Sequence, residues 1–229
     1  KTRRNTNENT NQHESTNKIK IGITRLHLEE DAAKNIHPST SSGQVKRVLV
    51  DFNRGGTPLM EIVTEPDLRS PQEARSFLQE LKLIMRYLGV SEADMEKGHL
   101  RVDANISLRK MADKRGLNAD VRGNGELNPK TELKNMNSFK AVERALEYEV
   151  QRQTKLHHEG KPPQTQSTRG WDEASQTTKE QRYKEGSEDY RYFPEPDIPQ
   201  IAIGGKNKKS KSFDIKKLKA EIPELPIEK

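Results

Sequence analysis

The sequence predicts an α+β fold, a mainly antiparallel sheet with helices on one face, and three kinds of pattern support this prediction. Short segments in which apolar and polar residues alternate, as they do in half-buried strands, recur along the chain. A turn rich in Gly and Pro joins two of these segments, as in a hairpin. Two longer segments repeat apolar residues at helical spacing, and each follows a serine that can cap a helix.

The first predicted strand begins at Ile19. Its apolar residues alternate up to Ile23 and then change parity at Leu26, which implies a bulge near Arg25 or burial on both faces. Glu30 would then share a face with Leu26 at the exit of the strand. Because an acidic triplet at a strand end is most often a surface feature, the pattern alone assigns Glu30 no role.

The next two strands, over residues 48–52 and 59–63, are predicted to form a hairpin. Asn, Gly and Pro residues between them supply the backbone freedom that a turn requires. Arg54 lies in this turn beside the exposed N–H groups of Gly55 and Gly56, a combination that suits a phosphate. Such a turn more often has no binding role, so the pattern alone does not assign a phosphate site.

Two helices are predicted, one after Ser70 and one after Ser138. The sequence Ser-Pro-Gln-Glu from Ser70 is a capping box with proline at the first helical position, and Gly89 ends this helix. The second helix ends before the Gly-Lys-Pro-Pro sequence at residues 160–163. The apolar stripe of each helix is predicted to face the core.

The most regular strand pattern covers residues 99–109. Apolar residues occupy one face, and polar residues that include Arg101, Asp103 and Asn105 occupy the other. A solvated outer face is the ordinary explanation of such a row, and a floor for the phosphates of a nucleotide is the alternative. Beyond it the sequence predicts a loop over residues 110–130, a strand over 131–135, a strand pair over 164–182 and an extended segment over 190–203.

Composition limits the possible functions. The chain has 229 residues, and its 30% of hydrophobic against 33% of charged residues implies a thin core, or a core completed by other segments. The absence of cysteine excludes a thiol nucleophile, disulfides and Cys-based zinc sites, and it fits a reducing compartment. No apolar run approaches the ~20 residues that a membrane span needs. A Gly-rich Walker loop and a nucleophilic triad are also absent from the sequence.

The net charge of +6 is concentrated at the two ends of the chain. Residues 1–20 carry five Lys or Arg against two acids, and residues 204–229 carry eight Lys against four acids. Solubility explains basic ends, and attraction to nucleic acid is the alternative. We predict a polar loop over residues 1–18, a folded domain over 19–203, and a basic linker over 204–229 towards a further domain.

Residues 51–67 carry the pattern Asp-x-Asn-Arg-x-Gly-x-Pro-Leu-x-Glu-Ile-Val-x-Glu-Pro-Asp. In this block the chain resembles the GatB family, one of the subunit families of the bacterial and organellar aspartyl/glutamyl-tRNA amidotransferases. Because five blocks match in one order, across about residues 19–203, the resemblance is specific. The other four blocks are residues 21–34, 99–109, 131–139 and 189–199.

The resemblance implies a glutamine-synthetase-like catalytic domain and the transferase half of tRNA-dependent amidation. ATP and Mg²⁺ would activate the side chain of Glu on misacylated tRNA(Gln), or of Asp on tRNA(Asn). The implied partners are the amidase subunit, a glutaminase that supplies ammonia, and a small third subunit. Together they would form a GatCAB heterotrimer in the cytoplasm, or in a mitochondrial or plastid matrix.

The chain would then be an internal fragment of the family's subunit. Two other readings stay open beside the catalytic one. The first is a non-catalytic tRNA-binding scaffold with the same fold. The second is the archaeal counterpart of this subunit, which is specific for Glu-tRNA.

The resemblance also implies roles for single residues. Glu30 and Glu173 correspond to metal ligands of the family, whose other ligands belong to an upstream Gly-Leu-Glu-Val-His sequence outside this chain. The basic residues are candidates for phosphate or acceptor-end contacts, with an ion pair to a neighbouring acid as the alternative for each. Gly170-Trp171 stand where the family usually has an Arg-Phe pair. The catalytic candidates are Lys134 and Arg191, and the nucleotide-binding candidates are Arg54, Arg101 and Asn105.

Overall fold

A computed structural model of the chain describes residues 18–36, 48–108, 127–183, 198 and 214–224. The chain divides into two compact units, residues 1–67 and residues 68–229. The first unit contains only strands among its described residues, and the second combines a sheet with helices. The α+β class predicted from the sequence is therefore confirmed, while the predicted domain boundaries stay a prediction.

The first unit is an antiparallel ribbon that consists of two successive two-stranded sheets. Strand β1 (Ile23–Glu30) pairs with β4 (Pro58–Thr64), and β2 (Lys34–Ile36) pairs with β3 (Leu49–Asp51). The register of the first pair shifts between Ile23 and Arg25, so the bulge predicted from the change of apolar parity is confirmed.

The hairpin predicted over residues 48–63 is wrong in its pairing. Both apolar runs are strands, but each pairs with residues 23–36 and not with the other. The segment between them bulges out of the ribbon opposite Asp31, whose N–H donates to the Thr57 carbonyl (2.8 Å) and whose carbonyl accepts from the Gly56 N–H (3.0 Å). Glycine suits this bulge because Gly56 has a φ of +78°. The same residues could serve a hairpin tip, so local sequence does not identify the partner strand.

The second unit contains a four-stranded sheet. In their order across the sheet, its strands are β5 (Ala104–Ile106), β6 (Thr131–Lys134), β7 (Ser167–Asp172) and β8 (Thr177–Tyr183). Two of its three pairings are antiparallel, but β6 and β7 are parallel because a helix connects them. The strand predicted over residues 99–109 is ladder-paired only at its centre, although burial alternates from residue 100 to 106.

Two long helices begin at the predicted serines. Helix α1 (Pro71–Tyr87) follows Ser70, whose hydroxyl accepts from the Glu73 N–H at 3.1 Å, and it ends before Gly89, where φ is +65°. Helix α2 (Phe139–His158) connects β6 to β7 and packs against α1 and the sheet. A short helix α3 (Ile215–Glu221) lies in the segment predicted as a linker, and all its residues are exposed.

The core of the second unit lies between the helices and one face of the sheet. Leu133 on β6 is fully buried, and the adjacent residues Glu132 and Lys134 point to the opposite, open face of the sheet. None of the described helices is both long and apolar enough to cross a membrane. The core residues are Ala74, Leu78, Met95, Leu133, Met136, Ala141, Val142, Ala145, Leu146 and Trp171.

The N-cap of α2 gives a test of this part of the fold. The Ser138 hydroxyl accepts from the Ala141 N–H at 3.0 Å. Ser138→Ala is expected to lower the free energy of unfolding by about 1 kcal/mol, because it leaves a helix N–H without its acceptor. Ser138→Gly is the control and should cost only about a few tenths of a kcal/mol. Equal unfolding midpoints in urea for Ser138→Ala and the unchanged protein would contradict the assigned cap.

Candidate functional site

Glu30, a predicted metal ligand, lies at the end of β1 opposite Pro58. Its side chain is half-buried, and among the described residues no hydrogen bond or ion pair engages its carboxylate. The bulge closes over it, since a Cβ placed on Gly56 would lie 3.4 Å from Glu30 Oε1. Glycine therefore leaves room beside a carboxylate whose oxygens can coordinate a cation.

Arg54 lies in the same bulge and makes the ion pair that was the alternative to a phosphate contact. Its Nε donates to Asp31 Oδ2 at 2.7 Å. Because Asp31 also exchanges backbone hydrogen bonds with Gly56 and Thr57, this pair fastens the bulge beside Glu30. The structure thus places Arg54 in the bulge beside Glu30. A contact between Arg54 and phosphate stays a prediction, and it would have to form while the ion pair with Asp31 persists.

Lys134 lies on the open face of the four-stranded sheet. Its Nζ is 3.1 Å from Asp103 Oδ2 and 3.4 Å from Glu132 Oε1, and Glu132 also accepts a hydrogen bond from the Thr168 hydroxyl at 2.9 Å. Burial alone would lower the pKa of Lys134, but hydrogen bonds and charge from Asp103 and Glu132 outweigh it and raise the pKa above 10.5. The lysine therefore remains a cation wherever the protein is folded near neutral pH.

The two other predicted nucleotide contacts belong to the strand beside Lys134. Asn105 is exposed in the middle of β5 and is paired with Glu132 of β6. Arg101 is exposed just before β5. The sheet thus brings Asn105 and Lys134 onto adjacent strands of one polar face, a placement that fits both a phosphate floor and a solvated surface.

Glu173, the second predicted metal ligand, occupies the turn between β7 and β8. Trp171 Nε1 donates to its Oε2 at 2.6 Å, and Gln176 Nε2 donates to its Oε1 at 3.1 Å. Arg144 of α2 comes within 3.7 Å of the same Oε1. The hydrogen bond from Trp171 is the main cause that lowers the pKa of Glu173 below its usual range. This carboxylate is therefore ionised and oriented, although its side chain is 51% exposed.

A polar recess of about 460 Å³ adjoins this turn on the sheet. Gly170 forms part of its floor, and a Cβ there would lie 2.5 Å from Gln181 Nε2 and 2.9 Å from Asn135 Nδ2. Glycine at this position therefore admits two amide side chains above the strand. Asp172 and Glu173 also line the recess, so it combines amide donors with carboxylate acceptors beside a predicted metal ligand.

Asp172 gives a pH-dependent test of the turn. The hydrogen bond from Lys179 is the main cause that lowers the pKa of Asp172 from 3.8 to about 2. Hydrogen bonds from the Ser175 and Ala174 N–H groups contribute further to this shift. Because the folded pKa is lower than the unfolded one, the stabilisation is complete above the unfolded pKa and is lost as the pH falls through about 2. An NMR titration of the Asp172 carboxyl carbon is expected to give a midpoint near 2, and Lys179→Gln should move it towards 3.8. A midpoint near 3.8 in the unchanged protein would refute the contact.

The predicted metal ligands are not clustered within either unit. Among the residues that the structure describes, no three His, Asp or Glu side chains lie close enough to hold a metal ion. Carboxylate oxygens suit Mg²⁺, and Glu30 fits because its carboxylate has no protein partner among these residues. Glu173 fits through its remaining lone pairs, since a carboxylate has about four acceptor positions. The convergence of Glu30 and Glu173 stays a prediction, and Arg191 lies outside the described residues.

A buried polar network is centred on Glu149, and it was not among the features predicted from the sequence. This residue of α2 has no exposed surface. Its carboxylate accepts hydrogen bonds from Arg152 Nε (2.9 Å) and Nη2 (2.5 Å), Gln153 Nε2 (2.8 Å) and the Thr178 hydroxyl (3.2 Å). Arg169 Nε of β7 lies 3.7 Å away. The signal was present, because positions 149 and 153 continue the apolar stripe of α2 at helical spacing. The network fastens α2 to the two strands that carry the Glu173 turn.

Comparisons with known proteins agree with these observations. A family model described as the GatB/GatE catalytic domain matches residues 6–209. Over 220 residues the chain is 51% identical to the GatB subunit of the aspartyl/glutamyl-tRNA(Asn/Gln) amidotransferase from Thermosipho melanesiensis, a match that covers 96% of this chain and 42% of the relative. The same subunit from Trichodesmium erythraeum is 50% identical over 212 residues, or 92% of this chain and 39% of the relative.

A third relative, the same subunit from Dehalococcoides mccartyi, is 52% identical over 208 residues, which cover 90% of this chain and 38% of the relative. The chain thus spans 38–42% of the length of these curated relatives. The resemblance predicted from the five sequence blocks is confirmed by these matches.

Proposed function

Because this chain belongs to the GatB/GatE catalytic-domain family, we propose that it supplies the ATP-dependent step of tRNA-linked amidation. The substrates would be Glu attached to tRNA(Gln) and Asp attached to tRNA(Asn), which are the specificities in the names of the relatives. The observation that carries the proposal is Glu30, a half-buried carboxylate without a protein partner among the described residues. It lies beside a bulge that belongs to the family's signature block.

The chemistry explains why such a protein needs phosphate-binding residues. A carboxylate is a poor acyl donor at neutral pH, so an oxygen of the substrate carboxylate first attacks the γ-phosphorus of ATP, and ADP leaves. Ammonia then attacks the carbonyl carbon of the acyl phosphate, and inorganic phosphate leaves while a proton is lost from nitrogen. The first step brings negative charges together, and in the second step negative charge develops on the carbonyl oxygen and on the departing phosphate. Fixed cationic groups would stabilise both.

The candidate residues have distinct tasks in this proposal. Glu30 and Glu173 would hold Mg²⁺, which supplies positive charge against the phosphates when it is bound. Lys134, whose pKa is raised, would stay charged beside the reacting groups, and Arg54 would contact phosphate from the bulge. Arg101 and Asn105 would line the surface that binds the nucleotide phosphates, and Arg191 would position the substrate carboxyl.

The remaining parts of the proposal follow from the family. The two units would form parts of a glutamine-synthetase-like catalytic domain. A glutaminase subunit and a small third subunit would assemble with it, and glutamine hydrolysis would supply the ammonia. The complex would work in the cytoplasm, or in the matrix of a mitochondrion or plastid. Because this chain spans 38–42% of the relatives' length, the activity is proposed for the full-length protein with its partner subunits.

The experiment that tests the function measures ADP formation by the full-length protein with its partner subunits. ADP formation is expected to require misacylated Glu-tRNA(Gln) or Asp-tRNA(Asn), and correctly aminoacylated Gln-tRNA(Gln) is the matched control. Amide product should appear only when glutamine or ammonia is also present. If tRNA binds but no ADP forms under any of these conditions, the protein is a tRNA-binding scaffold and the proposal is wrong.

A further inference from the structure

Trp171 is the only tryptophan of the chain, and its ring is held by packing within the protein. The side chain is 6% exposed and belongs to the core of the second unit. Tyr148 of α2 packs against it edge-on, with ring centroids 6.4 Å apart and planes at 66°. Burial among the core residues restricts the direction of the indole N–H, and the contact with Tyr148 is only one part of that packing.

That N–H points at the candidate metal ligand. Trp171 Nε1 donates to Glu173 Oε2 at 2.6 Å, which is short for a hydrogen bond of this type. The other groups near the carboxylate belong to more exposed side chains, Gln176 at 3.1 Å and Arg144 at 3.7 Å. Since Glu173 is itself exposed in a turn, the rigid indole is the partner that determines where its carboxylate lies.

We propose that Trp171 is the positioning residue for Glu173, so that its indole N–H holds the carboxylate in one orientation for a divalent cation. This inference rests on the proposed function, because it takes Glu173 as a metal ligand. Removing a partner that orients a metal ligand typically lowers metal affinity by about 10- to 100-fold. Since Trp171 would act on the cation only through Glu173, it is a positioning residue and not a catalytic one.

The test uses the full-length protein in its complex, with Mn²⁺ alone as the probe and free Mn²⁺ measured by electron paramagnetic resonance. Trp171→Phe keeps an aromatic ring in the core and removes the N–H, and it is expected to weaken Mn²⁺ binding about tenfold. Tyr148→Leu is the matched control, because it removes the ring contact but leaves the N–H in place. It should change Mn²⁺ affinity less than about twofold, since no ligand partner is lost.

A second variant guards against loss of packing in Trp171→Phe. Site-specific replacement of Trp171 by benzothienylalanine puts sulfur in place of the indole N–H with little change of ring shape, and it should weaken Mn²⁺ binding as much as Trp171→Phe does. In the amidation assay, both variants should need more Mg²⁺ for half-maximal rate while their rate at saturating Mg²⁺ recovers. A packing defect would not be corrected by metal.

The possible failures are distinguishable. If Glu173→Gln leaves Mn²⁺ affinity unchanged, Glu173 is not a ligand, and the metal assignment within the proposed function is wrong. If Glu173→Gln weakens binding but benzothienylalanine at position 171 does not, only the positioning role of Trp171 is overturned. Equal losses for Trp171→Phe and Tyr148→Leu would assign the effect to packing and would also overturn it.

Discussion

Glu30→Gln in the full-length protein with its partner subunits is expected to lower the rate of tRNA-dependent ADP formation by about 10²-fold or more. The substitution keeps the size of the side chain and removes the negative charge that a hard cation requires. Glutamine hydrolysis by the glutaminase partner should persist, because the proposed site of Glu30 serves only the phosphorylation step. The measurement compares ADP and glutamate formation in the same reaction.

The fold should survive this change for a structural reason. Among the described residues, the Glu30 carboxylate makes no hydrogen bond and no ion pair, so its neutralisation breaks no such contact with them. Glu29→Gln is the matched control, since the neighbouring residue points to the opposite face of β1, where its carboxylate is 4.0 Å from His27. Full ADP formation in Glu30→Gln, or an equal loss in Glu29→Gln, would refute the assignment of Glu30.

Local signals predicted the elements of this fold well. Both long helices begin at serines whose hydroxyls accept the expected N–H groups, because a helix start depends on only about four adjacent residues. The bulge near Arg25 was also predictable, since a change of apolar parity must be absorbed within the strand. These features are encoded where they occur, so no knowledge of distant partners is needed.

Pairing was harder to predict, because it depends on residues far apart in the sequence. The Gly-rich segment after β3 has the composition of a hairpin tip, but its backbone bonds to Asp31, on the other arm of the ribbon, make it a bulge. The parallel pairing of β6 with β7 follows from α2, which returns the chain to the same end of the sheet. Turn chemistry alone cannot distinguish these outcomes.

In the candidate site too, some features are encoded locally and others depend on contacts between separate elements. Alternation along residues 100–106 placed Asn105 on an open polar face, and the structure adds Lys134 from the adjacent strand. No local pattern pointed to the hydrogen bond between Trp171 and Glu173, because it depends on the turn geometry between β7 and β8. Family resemblance identified Glu173, and only the structure identified what holds it.

Glu149→Ala should have the largest effect on stability, a loss of about 3–5 kcal/mol in the free energy of unfolding. The substitution removes the acceptor of four hydrogen bonds and leaves two guanidinium groups in a region with little access to water. The side chains of Arg169 and Arg152 are only 13% and 23% exposed, so water solvates their charges poorly once the carboxylate is gone. Urea unfolding of the variant and the unchanged protein measures the difference.

Glu147→Ala provides the control on the same helix. Its carboxylate accepts an exposed hydrogen bond from Gln72 at 2.8 Å, so its loss should cost no more than about 1 kcal/mol. A loss that small in Glu149→Ala as well would mean that the buried network does not fasten α2 to the sheet. Because β7 carries Arg169 close to Trp171 and Glu173, a network that does fasten it also stabilises the turn on which the proposed metal ligand depends.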